Sequence, residues 1–186
     1  MRLKIITMLD KKPLIGITLG DFNGIGPETI IKVLSDSRIN KVCTPIVYGH
    51  PGIFAQYRKL FKIDNFSFNK LDDNLNKPHL KKANIKVIWD NDYQITPGKP
   101  TNESSIAALN AIKNAAKDLK DNKINAVVTA PISKEHIKNI QADFIGHTEL
   151  FTNLFEDVES LMFLVSDKVK TATLTGHIPV NKVSEK

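Results

Sequence analysis

The sequence has 186 residues, 41% hydrophobic and 25% charged. That is enough for one domain with a sizeable core, and not the composition of a disordered chain. A single cysteine, Cys43, excludes an internal disulfide and any cysteine-paired zinc finger. No apolar run approaches the ~20 residues that span a bilayer, and Met1 to Lys12 lacks a signal-peptide core, so the expectation is a cytoplasmic protein with no membrane partner. The net charge of +6 comes mostly from dispersed lysines, among them Lys59, Lys62, Lys70, Lys77 and Lys81, with Asp64, Asp72 and Asp73 between them. Arginine, the better reader of phosphate and guanine, occurs only at Arg2, Arg38 and Arg58. Such a pattern reads as a solvated face, with no nucleic-acid partner.

Along the chain, strands and helices alternate. Leu14 to Leu19 is a short apolar, β-branched run that reads as a buried strand. It ends in Gly20-Asp21-Phe22-Asn23-Gly24-Ile25-Gly26-Pro27-Glu28. Pro27 suits a first helical position and Glu28 complements the positive end of a helix, whose apolar face is Ile30, Ile31, Val33 and Leu34. Pro45 to Tyr48 predicts a second strand, the Gly49-His50-Pro51-Gly52 turn follows, and Phe54, Tyr57, Leu60 and Phe61 recur at helical spacing. Lys62 to Ala83 reads as an irregular surface excursion, and Ile85 to Trp89 as a strand. Thr96-Pro97-Gly98-Lys99-Pro100 is a loop by its own chemistry. Asn102 to Asn122 is the strongest helix, capped by Thr101 or Asn102, with a stripe through Ile106, Leu109, Ile112, Ala115, Ala116 and Leu119. Asn125 to Thr129, Met162 to Val165 and Thr171 to Thr175 are expected as further buried strands, the last two paired around Ser166-Asp167-Lys168. This order predicts an α/β fold with a largely parallel sheet and flanking helices, and ligands in such sheets bind beyond the carboxyl ends of the strands.

Four strand ends or helix starts carry groups capable of chemistry. The Gly20 to Gly26 turn is not a dinucleotide fingerprint, and Pro27-Glu28 stands where a Walker loop needs Lys-Ser/Thr. Asp21 would repel a phosphate, so a plain strand-to-helix turn is as good a reading. Gly146-His147-Thr148-Glu149 opens a helix whose backbone donors, hydroxyl and imidazole suit an anion; the plainer alternative makes Thr148 an N-cap and His147 a surface residue. Thr175-Gly176-His177 puts an imidazole at a strand end, but one histidine does not make a catalytic metal site. His50, His79 and His136 have no ligand spacing to it. Thr129-Ala130-Pro131-Ile132-Ser133-Lys134 ends a strand on a lysine that either enters a cleft or faces solvent.

In their order, these motifs resemble the 4-hydroxythreonine-4-phosphate dehydrogenase family of vitamin B6 biosynthesis. They are Gly20-Asp21-x-x-Gly24-Ile25-Gly26-Pro27-Glu28, Pro97-Gly98-Lys99, Val128-Thr129-Ala130-Pro131-Ile132-Ser133-Lys134, Phe144-x-Gly146-His147-Thr148-Glu149 and Thr175-Gly176-His177-Ile178-Pro179. The resemblance implies a fold like that of isocitrate and isopropylmalate dehydrogenases, and a homodimer with its active site at the subunit interface. It implies oxidation of 4-phosphooxy-L-threonine with NAD or NADP to 2-amino-3-oxo-4-phosphooxybutanoate, which decarboxylates to 3-amino-2-oxopropyl phosphate on the way to pyridoxine 5'-phosphate. It implies one divalent ion (zinc, magnesium or cobalt) on three histidines, of which His177 matches the first. His147 and Thr148 match substrate contacts, and Lys134 is a cleft candidate; no cofactor-binding residue is assigned. Residues 1–186 then form the N-terminal portion of one dehydrogenase subunit, with the other two ligand histidines in a C-terminal half, and the 186 residues alone are expected to be inactive. A sister dehydrogenase acting on phospho-erythronate or phospho-threonate is the alternative, and an inactive remnant a third reading.

Overall fold

A computed structural model of the chain describes residues 12–155, 160–175 and 178–185. Five parallel strands form its centre: β1 (Leu14–Thr18), β2 (Thr44–Gly49), β3 (Phe68–Leu71), β4 (Ala83–Val87) and β5 (Ala126–Thr129), ordered β3-β4-β2-β1-β5. Each of the inner pairs is parallel, with Ile17 opposite both Val47 and Val128. Between them run α1 (Gly26–Leu34), the short α2 (Ile39–Val42), α3 (Pro51–Phe61) and α4 (Asn102–Lys120).

Period-two alternation divides the core. Val47 and Ile85 face α1 and α3, packing with Ile30, Ile31, Leu34, Ile53, Phe54 and Tyr57. Ile46 and Tyr48 face the other way, onto Ala111 and Ala115 of α4 with Ile124. Small residues let α4 lie close to the sheet, while Leu109 and Ile112 on another side of the helix hold α5 (Lys134–Ile140) and α6 (His147–Leu154) through Ile137, Phe144 and Leu150. Thr101 caps α4 as expected: its hydroxyl accepts from the Ser104 N–H and the Ser104 hydroxyl accepts from the Thr101 N–H, a reciprocal box. Ile106, placed on the apolar stripe by spacing, is exposed.

Two buried polar groups brace the sheet. Asp118 of α4 accepts from the Tyr48 hydroxyl at 2.9 Å and from the Lys86 ammonium at 2.7 Å. Burial, then the Asp118 charge, pushes the Tyr48 hydroxyl far above its ordinary pKa. Asn84 of β4 is wholly buried. Its Nδ2 donates to the Pro45 and His79 carbonyls, and its Oδ1 accepts from Asn69 Nδ2 and the His79 N–H.

Three expectations need correction. The excursion from Lys62 to Ala83 contains β3, which pairs in parallel with β4; Asn69 and Lys70 hid it from an apolar count. β5 is a half-exposed edge with Val128 54% exposed, because β1 alone pairs with it among the described residues. The segments after α6 do pair antiparallel, as β6 (Phe163–Val165) and β7 (Lys170–Ala172), but every residue of both strands is exposed. A 3-10 turn spans Val180–Glu185. No helix among the described residues is long and apolar enough to cross a membrane.

Candidate active site

Strand order locates a crevice. From β1 the chain moves to one side through β2, β3 and β4, then crosses back to place β5 on the other side of β1. A reversal of this kind leaves an opening between the carboxyl ends of the two strands it separates. The segments at those ends are Gly20-Asp21 after β1 and Ala130 to Lys134 after β5, and they are joined: the Asp21 N–H donates to the Pro131 carbonyl at 3.0 Å.

The glycines of the first turn serve close packing. A Cβ on Gly20 would run into the Pro131 carbonyl, and one on Gly26 into the Leu19 carbonyl at 2.5 Å; Gly20 also has φ +72°. At these two positions the turn packs directly on its neighbours, as a strand-to-helix turn requires. Asp21 is 4% exposed, its Oδ1 accepting from the Asn23 N–H at 2.8 Å and its Oδ2 without a partner. The Tyr57 hydroxyl braces the turn by donating to the Phe22 carbonyl at 2.9 Å. Burial and the charges of Asp21 and Glu28 push that phenol's pKa up to about 12.

Beyond β5, Lys134 is the first residue of α5 and Gly146 is the N-cap of α6. Shared packing against α4 brings these two helix starts together. A Cβ on Gly146 would lie 3.7 Å from the Lys134 ammonium and 3.0 Å from Glu149 Oε2. The lysine therefore lies over the turn that begins α6. No side chain caps that helix, so Thr148 is not an N-cap. Nor is His147 a plain surface residue: it is half-buried, with Nε2 enclosed and unpartnered. Burial, and then the Lys134 charge, lowers its pKa, so at neutral pH the ring is uncharged, with one donor and one acceptor nitrogen. Thr148 is exposed, its carbonyl accepting from the Thr152 hydroxyl, and with Leu119, Val127, Phe151 and Phe155 it lines an apolar cleft of about 340 Å³.

Other histidines have local duties. His50 caps α3, its Nδ1 accepting from the Gly52 N–H, His79 accepts from the Lys81 N–H, and His136 lies 3.3 Å from the Ser133 hydroxyl. His177 and Gly176 lie outside the described residues. Among the described residues no group of three His, Cys, Asp or Glu side chains comes together to hold a metal, so they do not fit the implied divalent ion by themselves. Sequence reasoning missed Asn23, which is 2% exposed. Its carboxamide bonds to the loop at Thr96 to Lys99, across a separation that no local pattern reveals.

Fold and crevice together define an α/β protein with polar groups gathered at the carboxyl edge of a parallel sheet. The family model "Pyridoxal phosphate biosynthetic protein PdxA" matches residues 41–186, and the chain belongs to that family. A 4-hydroxythreonine-4-phosphate dehydrogenase of Bacteroides thetaiotaomicron is 36% identical over 179 residues, covering 95% of this chain and 48% of the relative. A protein of Oceanobacillus iheyensis named "Putative D-threonate 4-phosphate dehydrogenase" is 33% identical, covering 91% and 52%. The crystal structure of a 4-hydroxythreonine-4-phosphate dehydrogenase from Burkholderia phymatum superposes with TM-score 0.80 at 25% identity, covering 94% of this chain and 53% of that one. The chain thus spans about half the length of the relatives it matches.

Proposed function

We propose that residues 1–186 are the N-terminal portion of a homodimeric dehydrogenase that oxidises the secondary alcohol of 4-phosphooxy-L-threonine with NAD or NADP. The observation that carries this reading is the meeting of Lys134, Gly146 and His147 at the β1/β5 crevice, in a chain 36% identical to a protein named for that reaction. The substrate is anionic at both ends, and the crevice offers it a lysine ammonium, an uncapped helix start and a neutral imidazole. His147 and Thr148 hold the substrate by hydrogen bonds and fix the carbinol carbon in one orientation. Lys134 draws an anionic group to the α6 turn and adds to burial in keeping the neighbouring imidazole uncharged. A nicotinamide would supply the acceptor for the hydride of the carbinol C–H, with the hydroxyl proton passing to water. The resulting 3-oxo acid loses CO₂, because the new carbonyl takes up the electron pair of the breaking C–C bond. His177 remains the proposed ligand for a divalent ion, with its partners supplied from outside the described residues.

The threonate relative supports a second reading, in which a hydroxyl replaces the amine beside the carboxylate. Both readings are tested on the full-length protein by NAD(P)H production from 4-phosphooxy-L-threonine and from 4-phospho-D-threonate. The larger kcat/KM names the substrate; no turnover of either rejects the proposal. His147→Ala is expected to lower kcat/KM about ten- to a hundredfold, the cost of one lost hydrogen bond to a charged group, with an unchanged melting temperature.

A further inference from the structure

Pro97-Gly98-Lys99 lies in the loop that Asn23 holds. Thr96 to Lys99 is a tight turn closed by the Lys99 N–H donating to the Thr96 carbonyl at 3.0 Å. Pro97 and Gly98 sit at its corners. Gly98 has φ +82° with nothing within 4 Å of a notional Cβ, so this glycine is needed for its conformation alone, as in a type II turn. The turn is bound to the β1 turn through Asn23. Asn23 Oδ1 accepts from the Thr96 N–H at 2.7 Å, its Nδ2 donates to the Lys99 carbonyl at 3.1 Å, and its own carbonyl accepts from the Gly98 N–H at 2.7 Å. Pro100 further restricts the Lys99 backbone to extended conformations. Lys99 therefore has its N–H and carbonyl both fixed, while its side chain is exposed and its ammonium pairs with no carboxylate among the described residues. The same β1 turn grips the segment leading to Lys134 through Asp21 and Pro131. One turn thus pins the Lys99 backbone and, through Pro131, the strand exit that leads to Lys134.

We propose that Lys99 binds the phosphate of the substrate, and that Asn23 is the positioning residue that sets it. This rests on the functional reading above and extends it: Lys134 can neutralise one end of a doubly anionic substrate, and the Asn23 bracket holds Lys99 as a second cation at the same sheet edge. An ammonium on a pinned backbone is a preorganised point charge, which suits a phosphate dianion.

The test compares 4-phosphooxy-L-threonine with unphosphorylated 4-hydroxy-L-threonine in the full-length protein. Lys99→Met is expected to reduce the preference for the phosphorylated substrate about ten- to a hundredfold, chiefly through KM, and to leave the unphosphorylated one unchanged. Lys99→Arg restores most of the preference. Asn23→Ala and Asn23→Asp reproduce the loss, the second while keeping an acceptor for the Thr96 N–H, and neither adds to Lys99→Met in the double variant. A preference unchanged in Lys99→Met, or losses that multiply in the double variant, overturns the proposal. Phosphate binding by the parent and by Lys99→Met, followed by ³¹P line broadening with inorganic phosphate, decides the matter without turnover: equal broadening rejects Lys99. A parent that binds phosphate through Lys99 yet oxidises neither substrate rejects only the functional reading.

Discussion

The two flanks of the sheet differ in how far they are covered. Towards β2 and β4, the strands are buried on both faces, Gly20 and Gly26 pack too closely for a Cβ, and Asp118 Oδ2 and the Asn84 carboxamide have their partners in place. From β5 onwards, Val128, Phe163, Leu164 and Val165 are more than half exposed, and Leu174 is 90% exposed. Apolar side chains this exposed favour being covered by another surface, and a strand edge unpaired among the described residues is a template for pairing. The crevice lies on the seam between these flanks. In the proposed site, the covered side supplies Asn23 and Lys99, and the open side supplies Lys134, His147 and Thr148. A site built this way has its geometry set by one half and is closed by whatever covers the other.

Asp118→Ala should break the covered flank most severely, since it leaves Lys86 as a buried cation without its partner. The expected loss is about 3–5 kcal/mol in urea unfolding; a loss below 1 kcal/mol would mean that this flank does not depend on the pair. Gly20→Ala combines positive φ with a backbone collision and should cost about 2–4 kcal/mol, against about 1–2 for Gly98→Ala, where only the conformation is at stake. Equal costs would show that the β1 turn relaxes. On the open flank, Leu164→Lys should change the chain's own stability by no more than about 0.5 kcal/mol, while reducing its self-association in sedimentation. A large stability loss would place the hairpin in a core and erase the contrast.

The smallest effect concerns His147. Its folded pKa lies below the ordinary value, first from burial and then from Lys134. The unfolded chain therefore binds the extra proton first as pH falls. The linked stability is present above the ordinary histidine value near 6.5 and is lost as pH drops through it towards the lowered folded value. Lys134→Met should raise the His147 pKa in NMR titration without reaching that of the unfolded chain, since burial remains. No movement would separate Lys134 from the imidazole.

Much of the covered flank was legible because it is local. Leu14 to Thr18 and Thr44 to Gly49 announce themselves by β-branched runs, and Thr101 with Ser104 lies within one helical turn. β3 was not, because Phe68-Asn69-Lys70-Leu71 becomes a strand only by pairing with β4. The exposure of β5 was hidden too, since Ala126-Val127-Val128-Thr129 looks alike whether covered on one side or two. At the site, Gly146-His147-Thr148 marked a helix start, and Lys134 a strand exit, before any fold was known. Their meeting depends on Leu109 and Ile112 holding both helices. The Asn23 bracket joins residues more than seventy positions apart, which no periodicity reaches.

Asn84 carries a consequence for how the sheet settles on one alignment. Its amide is satisfied only where β4 lies with Ile46 beside Asn84 and Asn69 opposite it. Sliding β3 or β2 by one residue would turn the apolar set of the strand outward and strand a carboxamide in the interior without partners. The Val and Ile side chains around it would tolerate such a slip far better, since hydrophobic contact has little sense of direction. Asn84 thus acts as a proofreading mark, making misaligned sheets costly without adding much to the correct one. Asn84→Val should leave equilibrium stability near its starting value yet yield a heterogeneous refolding population, visible as doubled amide signals for Asn69 and its neighbours in β3.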